Sequence, residues 1–387
     1  MVSKKLLPYG VKDYYPGETK RLKTILDTVE RELNLWGYDE IKLPSLEFKG
    51  LFETAFGTEI TDGFTTWECE NGNLLMLRYD FTPQILRFVL HRKEERYPLR
   101  IYYKGETFKK SRELWEEIGV GFELVGTESP EADAEVVAVI KTVLDNLGIN
   151  DYKILVSHRK VWNGLCDKFG EETLKEKRFS PQLAGFLKTY SIDTEDFSEV
   201  LPAEAVEDLK RLSELLKGYG LNDGKTLFAP SLEPERDYYS GIFFKVITPL
   251  GTVARGGRYA GLLERFGRRI PATGGGIKIN KLLELYKPAE GGIEGYYIID
   301  TTPDKVAGWK LARLLRKKGI RAERDIVNRE IERSVKVARE KGYTKVVVIS
   351  EKPVKGVINI PPNAVDGEGI RLLEELFEER FEGRERN

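Results

Sequence analysis

Between Arg100 and Gly126 the chain reads RIYYKGETFKKSRELWEEIGVGFELVG, two apolar runs, Ile101–Tyr103 and Val120–Val125, separated by a basic stretch. Short runs rich in β-branched and aromatic residues, bounded by a charged loop, predict two strands that reverse on each other. Such a hairpin commits the surrounding chain to a sheet that is mostly antiparallel. Glu123 sits inside the second run, among Val120, Phe122 and Leu124. A carboxylate in so apolar a strand is either paired or faces a ligand, because burying an unpaired charge is costly.

The flanking segments supply helices to cover that sheet. Leu22, Ile25, Leu26, Val29 and Leu33 recur at helical spacing, predicting a helix over 17–36 that stops at Gly37. A strand follows at 38–43, ended by Pro44, then a strand at 74–77 and a helix over about 83–92. Ser129-Pro130 is a strong helix start, with Ser as cap and Pro in the first turn, and the helix should reach Asn146. Strand patterns return at 241–247 and 252–254, and a helix begins after Ile279. Residues 161–219 are helical and charge-rich, with Leu209, Leu212, Leu215 and Leu216 on one face, which reads as a helical insertion or as ordinary amphipathic packing.

The Gly- and Pro-containing segment 287–295 is a linker, and the pattern changes beyond it. Strands at 296–300, 321–325 and 345–350 alternate with helices at 305–318 and 330–341, and an amphipathic helix over 371–381 closes the chain. Alternation of this kind implies a small parallel or mixed α/β sheet. The fold class is therefore α+β: an antiparallel sheet flanked by helices over 1–286, with a small α/β domain over 292–387.

With 387 residues, 41% hydrophobic and 32% charged, the chain has room for two domains. The net charge of −1 offers no global basic field for nucleic acid. Cys69 and Cys166 are far apart, and His91 and His158 are the only histidines, so no disulfide framework, metal site or cofactor is expected. No run reaches the roughly 18 apolar residues of a membrane span, which makes the cytoplasm the expected location.

Four segments carry the chemistry. Leu77-Arg78-Tyr79-Asp80-Phe81-Thr82-Pro83 places an acid and a threonine at the start of a helix. Asp80 there suits an ammonium through charge-assisted hydrogen bonds, or serves only as a helix cap. The hairpin supplies Lys109, directly after Phe108, and Glu123. Leu232-Glu233-Pro234-Glu235-Arg236-Asp237-Tyr238-Tyr239-Ser240-Gly241 supplies two adjacent tyrosines, each with an apolar ring and a polar hydroxyl. The fourth runs from Ala254 to Lys281 and contains Gly256-Gly257-Arg258-Tyr259 and Gly274-Gly275-Gly276.

In this order the four segments resemble the class II aminoacyl-tRNA synthetases, closest to histidyl-tRNA synthetase. In that family an arginine after the phenylalanine grips the ATP α-phosphate, a glutamine lies four residues before the glutamate, an arginine lies three residues before Asp-Tyr-Tyr, and the last motif ends in Glu-Arg. Here those positions hold Lys109, Gly119, Pro234 and Asn280-Lys281. Lysine keeps charge but lacks the planar fork of arginine, and proline donates nothing. Losing several fixed positive groups makes adenylation improbable, since one transition-state donor is worth roughly 10²–10³ in rate.

The chain is most similar to the paralogous family of ATP phosphoribosyltransferase regulatory subunits. The Leu-Arg-Lys-Lys-Gly-Ile-Arg run at 315–321 and the strand at 346–349 resemble, more faintly, the anticodon-binding-like domain. The resemblance implies a non-catalytic subunit that assembles with a short-form catalytic subunit and confers histidine feedback on the first step of histidine biosynthesis. It implies a histidine site at Asp80, Thr82, Glu123, Tyr238 and Tyr239, and candidate phosphate contacts at Lys109 and Lys281. It also implies a homodimer of the core, with Pro44 and the helix 17–36 near the two-fold. An active histidyl-tRNA synthetase is the alternative. Against it, the last domain mixes Arg and Lys with Glu and Asp, where a tRNA surface should be basic, so tRNA is not an expected partner.

Overall fold

The computed structural model describes residues 7–61, 64–69, 71–91, 96–109, 115–175, 190–192, 201–221, 223–288, 292–327 and 329–365. The chain divides into two compact units, Met1–Lys287 and Pro288–Asn387. The first contains twelve strands among its described residues: β1 Asp39–Glu40, β2 Leu46–Phe48, β3 Thr66–Glu68, β4 Leu74–Leu77, β5 Leu99–Phe108, β6 Glu116–Val125, β7 Lys153–His158, β8 Tyr190–Ser191, β9 Thr226–Phe228, β10 Ile242–Thr248, β11 Gly251–Arg258 and β12 Ala272–Lys278. Nine of them form one sheet in the order β1-β5-β6-β12-β11-β10-β7-β9-β8, and β2-β4-β3 form a small second sheet.

The central pairings β5–β6, β6–β12, β12–β11, β11–β10 and β10–β7 are all antiparallel, as the hairpin requires, while β1–β5 and β7–β9 are parallel. One face of this sheet is covered by helices. The helix Pro130–Asn146 starts as its sequence demands, with the Ser129 hydroxyl accepting the Glu131 amide at 3.2 Å. Val136, Val137, Val139, Ile140, Val143 and Leu144 are fully buried in one core with Ile25, Val29 and Leu33 of the helix Pro16–Leu35 and with Val120 and Phe122 of β6. Gly275 of β12 leaves room for Ile140 and Val136 beneath the sheet.

Several boundaries differ from the sequence expectations. The strand expected at 38–43 pairs only at Asp39–Glu40, because Pro44 turns the chain away and Arg78 takes the Leu43 and Pro44 carbonyls. The hairpin strands extend beyond their apolar runs through Glu106 and Glu116, since pairing continues where only one face is apolar. Gly274–Gly276 form the middle of a central strand. Its backbone is paired on both sides, and this outweighs glycine's poor strand propensity. In the region read as a helical insertion or as ordinary amphipathic packing, the helix Ala203–Gly218 packs Leu209, Leu212 and Leu216 into the main core, and β8 joins the large sheet through β9 just beyond the region.

The second unit carries a four-stranded parallel sheet in the order β14-β13-β15-β16, from β13 Ile293–Asp300, β14 Ala322–Arg324, β15 Tyr343–Ile349 and β16 Ile358–Ile360. The helices Val306–Lys317 and Ile331–Glu340 cover its two faces, each with its own apolar cluster. The helix expected at 371–381 lies outside the described residues. Among the described residues no helix is long and apolar enough to cross a membrane.

Candidate functional site

The face of the large sheet opposite the long helices holds a cavity of about 130 Å³. Strand alternation decides what lines it. Along β6, Glu117, Gly119, Gly121 and Glu123 share this face, and the ladder sets Lys278, Gly276 and Gly274 of β12 across from the last three. The floor between Glu123 and Lys278 is therefore bare glycine backbone. Tyr103 of β5 pairs with Gly121, and a Cβ there would collide with the Tyr103 ring. The missing side chain lets that ring lie flat along the floor.

Glu123, 3% exposed, makes no ion pair among the described residues. Instead Tyr103 and Tyr259 donate their hydroxyls to its two oxygens, at 2.8 and 2.6 Å. Burial pushes the carboxyl from 4.5 up to about 8; the two tyrosine bonds oppose the rise and the nearby charge of Asp80 adds to it. Burial, then the Glu123 charge, drives the Tyr103 and Tyr259 hydroxyls well above their usual range, so both stay donors at neutral pH.

Asp80 stands before the helix Thr82–His91 and does two jobs. Its Oδ1 accepts the Thr82 amide at 3.0 Å, while Oδ2 accepts from Arg236 at 2.8 Å. Burial would raise this carboxyl, but Arg236 chiefly, then Lys109, Arg255 and the Thr82 amide, hold it down to about 2. Aromatic rings complete the walls. Tyr238 stacks on Phe56 at 6.2 Å, Tyr239 stacks on Phe243 at 5.7 Å, and Phe81 lies 4.6 Å from Tyr103. Burial and the Asp80 charge push the Tyr238 hydroxyl up to about 12.

Asp80, Thr82, Lys109, Glu123, Tyr238 and Tyr239, all singled out from the sequence, line this one cavity. Lys109 rests its amine 5.0 Å from the Tyr79 ring centroid, and burial lowers its pKa against the pull of Asp80. Lys281 does not join them. It lies on the helix Ile279–Leu285, 3.6 Å from Glu284, and the cavity receives Lys278 from the end of β12 instead.

Arg236, not singled out from the sequence, does join them. It stands two residues beyond Pro234, and the segment between β9 and β10 delivers it to Asp80. Arg255, likewise unanticipated, lines the cavity and pairs with Glu235, which also accepts from Lys245 at 3.0 Å. Strand period would have found Arg255, which shares a face with Gly257 and sits across from Gly276. Tyr103 shows the same signal, two residues from Ile101 on the hairpin's inner face.

Behind the sheet lies a second polar cluster. Arg258 donates to Asp133 from Nε at 3.0 Å and reaches Asp208 at 3.3 Å; the Thr273 hydroxyl donates to Asp133 at 2.8 Å. His158 Nδ1 accepts the Lys160 amide and Nε2 faces Asp208 at 3.3 Å, which fits the neutral tautomer protonated on Nε2. The residues flanking this cluster, Tyr259 and Gly274, belong to the cavity, so it braces the site from beneath.

Comparison with known proteins agrees with this geometry. The family model for histidyl-tRNA synthetase matches residues 10–185 and 180–282. The ATP phosphoribosyltransferase regulatory subunit of Aquifex aeolicus (strain VF5) is 30% identical over 372 residues, covering 89% of this chain and 93% of that protein. The chain belongs to this family of synthetase-like regulatory subunits.

The family shares its fold with working synthetases. The histidine–tRNA ligase of Methanocaldococcus jannaschii is 27% identical over 387 residues, 89% of this chain and 92% of that protein. Among solved structures, an ATP phosphoribosyltransferase regulatory subunit/histidyl-tRNA synthetase from Bacillus halodurans C gives a TM-score of 0.74 at 26% identity, covering 89% of this chain and 98% of that one. Fold alone therefore does not separate regulator from ligase, and the residues of the cavity must.

The second unit has a groove of its own, lined by Trp309, Arg316, Arg321, Arg324, Arg329 and Lys341 together with Glu323 and Asp325. Trp309 is 60% exposed and carries the Arg324 guanidinium 4.3 Å from its ring centroid. Charges mixed along the sequence are thus sorted in space, and this groove is more basic than the segment's composition suggests.

Proposed function

We propose that the chain is the non-catalytic regulatory subunit of ATP phosphoribosyltransferase, which senses histidine in the β6–β12 cavity and adjusts a short-form catalytic subunit at the first step of histidine biosynthesis. The observation that carries this reading is the pairing of Glu123, held by two tyrosine hydroxyls, with Asp80 in one aromatic-walled cavity. That arrangement fits an imidazole and an ammonium on one small molecule. The relatives named as regulatory subunits support it.

The nucleotide side supports it as well. Lysine follows Phe108, Lys281 is placed by Glu284, and the two cavity arginines are engaged by Asp80 and Glu235. Adenylyl transfer relies on fixed cations free to meet phosphate. Lys109, with Lys278 in place of Lys281, is where an anionic ligand would be met. In this reading the core of residues 1–286 is the sensor, dimerises near Pro44 and works in the cytoplasm. Feedback needs unequal histidine affinity in two assembly states, a coupling of about 1–3 kcal/mol.

Co-expression with a short-form phosphoribosyltransferase tests this. The pair should turn over ATP and phosphoribosyl pyrophosphate, the short subunit alone should be much slower, and histidine should inhibit only the pair. Activity indifferent to this chain would end the proposal. A second reading, histidine–tRNA ligation, draws support from the basic groove of the second unit. Histidine-dependent ATP–pyrophosphate exchange above a no-enzyme control would put that reading first.

A further inference from the structure

We propose that Arg236 is an internal stand-in for the ligand, and that an amino acid enters the cavity by exchanging ion pairs with it. The ligand's ammonium takes Asp80, and its carboxylate takes the guanidinium that Asp80 releases. This rests on the reading of the cavity as a histidine site.

Both carboxylate oxygens of Asp80 are already engaged, one by the Thr82 amide at 3.0 Å and the other by Arg236 at 2.8 Å. The pair is well shielded, with Asp80 13% and Arg236 16% exposed, and the guanidinium also lies 5.2 Å from the Phe56 ring centroid. Thr82 and Arg236 each take one bond, one on either oxygen, so an ammonium arriving at Oδ2 from the cavity competes with Arg236 for that oxygen. Of the cavity's neighbouring carboxylates, Glu235 already holds Arg255 and Lys245, and Glu117 on the cavity face acts on Lys109. Both oxygens of Glu123 already accept from Tyr103 and Tyr259.

Counting charges then fixes what can bind. A ligand with an ammonium alone breaks the pair and strands Arg236 beside Arg255. A ligand with a carboxylate alone strands Asp80 if it takes Arg236, and is left to Lys109 and Lys278 if it does not. Leaving one member of a shielded pair uncompensated is strongly unfavourable. A zwitterion breaks one ion pair and makes two, so it alone leaves no charge behind. Arginine suits the task, since its planar fork grips a carboxylate as well as it grips Asp80 and its long side chain can swing without moving the backbone. The relocation from position 234 to 236 thus changes the residue's work: it becomes a specificity residue that rejects half-ligands.

Calorimetry on the full chain with L-histidine, histamine and imidazolepropionate tests the exchange. The parent should bind histidine at least about 30-fold more tightly than histamine. In Arg236→Gln the two ligands should move in opposite directions: histidine weakens, histamine tightens because Asp80 now lacks a cation, and the preference collapses to within about threefold. Arg236→Lys should keep the parent's order. Asp80→Asn, a second arm should Arg236→Gln not fold, should gain binding of imidazolepropionate because Arg236 is set free. The exchange is overturned if Arg236→Gln weakens both ligands by the same factor, or if Asp80→Asn gains nothing, while parental histidine binding leaves the sensing reading intact. If none of the three ligands binds any of these proteins at millimolar concentration, the sensing reading falls and the exchange with it.

Discussion

Gly274 stands directly across from Glu123 in the β6–β12 ladder, and a Cβ at Gly274 would overlap the Glu123 carboxylate. The glycine is therefore the space into which the acid fits, and the two positions form one structural unit. Gly274→Ala should force Glu123 off its tyrosines or push the strands apart, costing about 1–3 kcal/mol as overpacking does. Urea unfolding would show a lower midpoint, and histidine titration a weaker affinity. An alanine variant as stable as the parent would mean that the carboxylate is not held where the ladder puts it.

The same carboxylate gives the fold a pH signature. Its folded pKa lies near 8, against 4.5 for an ordinary glutamate. Between those values the folded chain keeps a proton that the unfolded chain has released, so stability is fully present below pH 4.5 and is lost as pH rises through 8. Asp80 has the opposite sign, because its folded pKa is held to about 2 and its contribution disappears only in acid. Above pH 5 Asp80 is constant and Glu123 carries the slope. Glu123→Gln, which resembles the protonated acid, should flatten the fall in Tm between pH 5 and 9 relative to the parent. Parallel curves for the two proteins would contradict this assignment.

Arg258 and Asp133 should be coupled in the same way as any shielded ion pair. Asp133 is 2% exposed and depends on Arg258 and the Thr273 hydroxyl for compensation. Arg258→Met alone should cost about 3–5 kcal/mol, because it strands a buried carboxylate. Adding Asp133→Asn should recover part of that loss. Chemical unfolding of the two single variants and the double variant gives the coupling, and simple additivity would show that the two side chains do not share an interaction.

Much of this was legible before any coordinates. The hairpin, the Ser129-Pro130 helix start and the alternating second unit are local patterns, and each forms where its period predicts. Asp80, Thr82 and Glu123 come together because their motifs sit at a helix start and on a strand, while Tyr238 and Tyr239 arrive on the turn segment between β9 and β10. What was not legible depends on partners remote in sequence. Arg236 finds Asp80 from 156 residues away, and no local rule sets the path of the segment that carries it. Lys278 rather than Lys281 enters the cavity because β12 persists through three glycines, which only pairing on both sides explains. The basic groove is invisible in composition, which averages over charges that folding sorts.

Gly119 offers the last and most direct experiment. It shares the cavity face with Glu123 and pairs with Lys278, and a Cβ there would lie 3.5 Å from the Ile277 carbonyl, an ordinary contact. Its φ is not in the left-handed region, so a side chain costs no backbone strain there. Gly119→Gln should therefore fold with stability within about 1 kcal/mol of the parent, since it fills open cavity rather than core. The new amide would stand over the glycine floor, between Lys278 and the Glu123 end where the proposed histidine would place its imidazole. It could donate to or accept from that ring, and one well-placed hydrogen bond is worth about 0.5–1.5 kcal/mol, a gain of roughly 2- to 13-fold in histidine affinity. Imidazole-free ammonium carboxylates such as alanine should gain nothing. If alanine and histidine shift together, or if the variant unfolds, the ring of the ligand does not lie along this floor.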